Sequence, residues 1–226
     1  WKPSSSSVVD ELYSLIGSSV NSSYRLYRGQ EQIAESLEME DILESFDSDL
    51  RLQVGTLVKD KLFVHAGVVG WRGQAVVIPG RSFSGKTTLV AALVKAGATY
   101  YSDEYAVLDA DGLVHPYPRR LSIRQDNGER VHRCPVEELG GESGIKPLPM
   151  GLLVYTQYEA DSQWSPQIIS VGQAVLALLD NTIVAQLRPD FALPILASAV
   201  SNSLILEGHR GEADETAVAI LKRLEN

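Results

Sequence analysis

Gly80-Arg81-Ser82-Phe83-Ser84-Gly85-Lys86-Thr87-Thr88 fits the pattern G-x-x-x-x-G-K-[ST], a loop that holds phosphate through its backbone amides. Its flanks decide the fold. Ala75-Val76-Val77-Ile78 before it is a short β-branched apolar strand, and Leu89-Val90-Ala91-Ala92-Leu93-Val94 after it has helical character. A strand that feeds a glycine loop opening a helix is the context the motif needs, and it predicts an α/β domain. Gly80 and Gly85 allow backbone angles closed to other residues. The loop amides can then converge on an anion, helped by the positive end of the helix that starts near Lys86. The expected nucleotide contacts are Gly80, Arg81, Ser82, Phe83, Ser84, Gly85, Lys86, Thr87 and Thr88, with Lys86 on the β- and γ-phosphates and the Thr87 hydroxyl on magnesium.

Outward from the loop, Leu62-Phe63-Val64-His65 predicts a strand ending at His65, with a turn later at Gly70-Trp71-Arg72-Gly73. Gly97 suits the end of the loop's helix. Thr99 to Ser102 predicts a strand that ends in Asp103-Glu104. In a parallel sheet neighbouring strands end on one edge, so both acids should face the loop. One carboxylate there can hold magnesium and the other can take a proton from an attacking hydroxyl. A solvated hairpin start is the plainer alternative. Tyr105 to Asp109 and Leu113 to His115 predict a hairpin around Asp111-Gly112. Residues 125–149 read as long and irregular, Gly151 to Tyr158 as a buried strand. Helices are expected around Val171–Leu179, Pro189–Val200 and Glu212–Leu224. Towards the N-terminus, Tyr24 to Ala34 predicts a hairpin and Leu37 to Asp60 an amphipathic helix with a solvated acidic face. Residues 1–60 are therefore expected to form a small α+β appendage, and residues 61–226 the loop-bearing domain.

Composition narrows the function. The chain has 226 residues, 44% of them hydrophobic, enough for a sizeable core. A net charge of −9 disfavours nonspecific binding to nucleic acid or an anionic membrane. One cysteine, Cys134, excludes an internal disulfide and argues against a zinc site built of cysteine pairs. No apolar run is long enough for a membrane span. No signal-peptide pattern is present, and the expectation is a cytoplasmic protein. Arg81 and Arg124 rank first among arginines that could clamp a phosphate. His209-Arg210, before the last helix, could approach the site from across the sheet, with solvation at the helix edge the simpler expectation.

The span from His65 to Asp109 resembles the kinase domain of HPr kinase/phosphorylase, of the stand-alone type. The resemblance rests on His65-Ala66-Gly67-Val68, Gly80 to Thr88, and Ser102-Asp103-Glu104, in that order. The same order is similar to the nucleotide core of phosphoenolpyruvate carboxykinase. Arg210-Gly211-Glu212-Ala213 looks like the corresponding segment of the stand-alone group. The resemblance implies a central mixed sheet, ATP and Mg2+ as cofactors, and transfer of the γ-phosphoryl group to a serine of a protein or peptide. It implies catalytic roles for Lys86, for Asp103 as base and for His65 beside the acids, with Thr87, Asp103 and Glu104 around the metal. HPr kinases usually carry Glu where Thr88 stands, and their glycine-rich segment for the protein substrate has no counterpart here. Alternatives are a nucleotide-binding regulatory module without transfer and a small-molecule kinase. A nucleotide-hydrolysing switch is disfavoured, because no guanine signature is present. A homo-oligomer is left open.

Overall fold

The computed structural model describes residues 8–17, 23–80, 84–125 and 130–224. The chain divides into two compact units between Leu57 and Val58. In the first, β1 (Tyr13–Gly17), β2 (Tyr24–Arg28) and β3 (Glu31–Ser36) form an antiparallel sheet in chain order, and α1 (Met39–Leu57) comes after it. Arg28 bridges the helix and the sheet, donating to Asp49 at 2.9 Å and to Glu31 at 2.8 Å. β1 adds a strand to the expected hairpin. Its apolar residues show no strict alternation, and Leu15 and Ile16 remain exposed.

The second unit is a three-layer α/β structure. Its elements are β4 (Leu62–Trp71), β5 (Gln74–Pro79), α2 (Lys86–Lys95), β6 (Thr99–Ser102), β7 (Tyr105–Leu108), β8 (Val114–His115), β9 (Leu121–Gln125), β10 (Arg130–Cys134), β11 (Met150–Tyr158), β12 (Gln167–Ile168), α3 (Val171–Leu179), α4 (Pro189–Val200), β13 (Leu204–Arg210) and α5 (Ala213–Lys222). The central sheet runs β12-β13-β11-β5-β4-β7-β8, with β6 also on β4. It is mixed: β13, β11 and β5 are parallel, while β4 is antiparallel to β5, β6 and β7. Alternating strand residues feed two cores. Ala75, Val77 and Leu153 pack with Ala174, Leu178, Ile195 and Leu196 of α3 and α4. Val76, Ile78, Leu152 and Val154 pack on the other face with Leu89, Val90 and Leu93 of α2 and Ala217 and Ile220 of α5.

Three expectations are corrected. β4 does not end at His65 but runs on to Trp71; the apolar stretch Ala66 to Gly70 continues the ladder, and only Arg72-Gly73 turns, both at positive φ. The acids do not reach the loop by adjacency in a parallel sheet. β5 and β6 are not neighbours; both lie antiparallel to β4, one on each side, and so share a direction. Residues 125–149 are not wholly irregular. They contain β10, paired with β9, and a 3₁₀ turn at Val136–Leu139. The chain beyond this turn is bonded along β6, through Tyr100 N–H to Glu142 O (2.8 Å) and Gly144 N–H to Tyr100 O (2.7 Å).

Candidate functional site

β4 brings the two halves of the site together. In register, Ala66 lies opposite Pro79, the last residue before the glycine loop, and Val68 lies opposite Ser102, the last before the acids. Gly80 N–H donates to His65 O at 3.3 Å, and Ala66 N–H donates to Glu104 O at 3.1 Å. Asp103 and Glu104 thus occupy the break between β6, paired with one half of β4, and β7, paired with the other. The Ser102 hydroxyl, 1% exposed, holds the break by accepting the N–H groups of Glu104 (3.1 Å) and Tyr105 (3.0 Å). It replaces two ladder bonds lost where the strand jogs.

On the other side of the site, Gly85 stands at φ +80 immediately before α2, a conformation that glycine adopts freely. Lys86, the first helical residue, is only 7% exposed. Its stem runs beside two glycines: a methyl on Gly80 would lie 3.7 Å from Lys86 Cδ, and one on Gly67 would lie 3.8 Å from Lys86 Cβ. Burial pulls the Lys86 ammonium down to about 8, against the opposing pull of Glu104 and Asp103. Thr87 Oγ1 donates to Asp103 Oδ2 at 3.3 Å. Tyr100 O–H donates to Asp103 Oδ1 at 2.9 Å, and the Ser122 backbone N–H also bonds this carboxylate. Burial raises the Asp103 carboxyl above its ordinary range, and those donors partly offset it. His65 Nε2 is 3.9 Å from Glu104 Oε1, and its ring lies 5.8 Å from that of Tyr105.

Lys86, Thr87, Asp103, Glu104, His65 and Gly80 are therefore gathered around one strand, β4, from its two edges. Ser84 is half-buried beside Gly80, and Thr88 is exposed. Arg81, Ser82 and Phe83, and the Arg124 side chain, lie outside the described residues.

For Arg210 the simpler expectation fails and the approach from across the sheet is what the structure shows. It ends β13 and is 3% exposed rather than solvated. Its guanidinium donates to Gly85 O (3.1 Å) and Gly211 O (3.0 Å) and lies 5.4 Å from the centre of the Tyr158 ring. The sequence hides this because β13 itself is hard to recognise; Leu204-Ile205-Leu206 between two helices is the available signal. Tyr100, within the expected strand from Thr99 to Ser102 but given no part in the site there, is the second residue that sequence reasoning misses. Arg210→Met keeps the length and removes both anchoring bonds. The expected loss is about 2–3 kcal/mol of stability in denaturant unfolding; an unchanged midpoint would show that the anchor contributes nothing.

No protein-family model matches the chain, nor does any curated protein. Among solved structures it is similar to the Hpr(Ser) kinase/phosphatase from Coxiella burnetii, at 13% sequence identity and a TM-score of 0.40, over 74% of this chain and 90% of that one. Among the described residues, no helix is long and apolar enough to cross a membrane.

Proposed function

We propose that the chain is a phosphate-loop kinase that transfers the γ-phosphoryl group of ATP to a hydroxyl, a serine of a protein or peptide. The observation that carries this is the Thr87–Asp103 hydrogen bond of 3.3 Å. It joins a hydroxyl in the first turn of the loop's helix to a carboxylate that follows a different strand, a pairing suited to hold the magnesium ion that phosphoryl transfer uses. Loop amides, the α2 N-terminus and Lys86 would receive the phosphates. Thr87, Asp103 and Glu104 offer only oxygen donors, which suit magnesium. When bound, the ion would neutralise charge between the β- and γ-phosphates. Asp103, made more basic by burial, would accept the proton of the attacking hydroxyl. His65 would orient Glu104.

The test is incubation of the protein with γ-labelled ATP and magnesium against an array of serine- and threonine-containing peptides and proteins. Label on a hydroxyl residue supports transfer. Bound nucleotide without transferred label would instead favour a nucleotide-binding regulatory module.

Lys86 adds a pH dependence. With its pKa at about 8 before phosphate arrives, the side chain is charged at pH 7 and mostly neutral at pH 9. Above pH 8 phosphate binding must first recruit a proton, so affinity falls as pH rises. ADP affinity should drop roughly tenfold from pH 7 to pH 9 in calorimetric titrations. A flat profile would remove Lys86 from phosphate contact.

A further inference from the structure

His132 and Cys134 stand two apart on β10, so their side chains leave the same face of the β9–β10 hairpin. Pro135 ends the strand, and the 3₁₀ turn Val136–Leu139 folds the next carboxylate back towards them. Val136, 3% exposed, anchors that turn in the same core as Val94 of α2. Gly140, at φ +75, closes it with an N–H bond to Glu137 O of 3.0 Å. One ligand atom each from His132, Cys134 and Glu138 consequently lie within 4.8 Å of one another. His132 Nε2 and Glu138 Oε2 are 3.3 Å apart.

We propose that His132, Cys134 and Glu138 form a site for a zinc-like divalent transition metal. The donor set is one imidazole nitrogen, one sulfur and one carboxylate oxygen, a combination that zinc accepts and that magnesium and calcium do not. Tetrahedral zinc with ordinary bond lengths separates its ligand atoms by about 3.3–3.7 Å. The His132–Glu138 edge already has that length, and modest side-chain rotation brings the sulfur to it. Cys134 is 3% exposed while the His132 and Glu138 side chains are 48% and 55% exposed, so the ion enters from solvent and settles on a shielded sulfur. Binding replaces the thiol S–H bond by a metal–sulfur bond and releases that proton to water. Three protein ligands leave a fourth position for water or an added ligand.

The site is separate from the oxygen cluster at Thr87 and Asp103 and does not depend on the kinase proposal. It has a structural route to that cluster nonetheless. Cys134 pairs with Leu121 in the ladder, and the next residue, Ser122, supplies the backbone N–H to Asp103. A metal that clasps β10 to the 3₁₀ turn would stiffen the hairpin that delivers this N–H.

The test is titration of the chelator-stripped full chain with cobalt(II), then zinc. The expected result is one equivalent bound, with intense visible bands of four-coordinate cobalt and a near-ultraviolet thiolate-to-cobalt band, both lost on zinc addition and unaffected by excess magnesium. Cys134→Ser should abolish the thiolate band. His132→Ala and Glu138→Gln change exposed side chains and should retain the native circular dichroism spectrum. Each should weaken zinc binding at least about tenfold, measured by competition with a chromophoric chelator. Zinc should also raise the melting temperature of the wild-type chain and not that of His132→Ala. Absence of the thiolate band at stoichiometric cobalt, or unchanged zinc affinity in both exposed variants, would overturn the site and leave a hydrogen-bonded His–Glu pair beside a buried thiol.

Discussion

Lys86→Ala is expected to lose nucleotide binding by a factor of about 10² to 10³, the loss incurred when one partner of a desolvated, hydrogen-bonded charge pair is removed. Lys86 is 7% exposed at the start of α2, and its ammonium is already held down to about 8 by burial. The chain therefore carries a cost at this position that a phosphate would relieve. Two consequences separate phosphate binding from a purely structural lysine. Calorimetric titration with ATP should show the affinity lost. Thermal unfolding of Lys86→Met, which keeps the stem's contacts and removes the charge, should show a melting temperature equal to or above that of the wild type. Retained affinity in Lys86→Ala would refute the assignment of the loop. A marked fall in the melting temperature of Lys86→Met would show that the charge is there for the fold.

Asp103→Asn is the complementary case. The amide oxygen can still accept the bond from Tyr100 while the amide NH2 donates to the Thr87 hydroxyl, so local structure should hold. Burial that disfavours the Asp103 carboxylate does not penalise a neutral amide. The missing base should cost phosphoryl transfer about 10² to 10⁴. Nucleotide affinity, measured without magnesium to remove the ion's contribution, should stay within a few-fold of wild type. Turnover that survives the substitution would reject Asp103 as base; affinity that collapses with it would make Asp103 part of the binding surface. Asp103→Asn thus loses transfer and keeps binding, which a misfolded protein would not do, and the melting temperature of Lys86→Met separates lost charge from lost fold at the lysine.

Much of the second unit is legible in the sequence because its segments are locally consistent. The apolar run before Gly80, the helix after it, β11 and the last three helices all carry the right period and boundary residues. Several of the misses share a physical cause, dependence on a partner distant in sequence. β13 is a strand because β11 lies beside it in parallel register. The segment from Leu121 to Cys134 alternates in character and brackets Asp126-Asn127-Gly128, a hairpin signal that its abundant charge obscures. Asp103 and Glu104 are expected near the loop for a reason that the topology replaces; β4, longer than its sequence suggests, is the element that places them. Arg210 cannot be seen as buried without β13. The residues of the motif are visible, while the groups that orient them, Tyr100, Ser102, Ser122 and Arg210, come only with the tertiary structure.

The jog between β6 and β7 sets how the site can move. Loop and acids share no ladder with each other; each is stitched to an opposite edge of β4. Fraying at either margin of the sheet leaves their spacing untouched, whereas slippage of that middle strand displaces both halves at once. Thermal inactivation should therefore arrive as a single event, with no long-lived species that grips phosphate yet has its carboxylates astray.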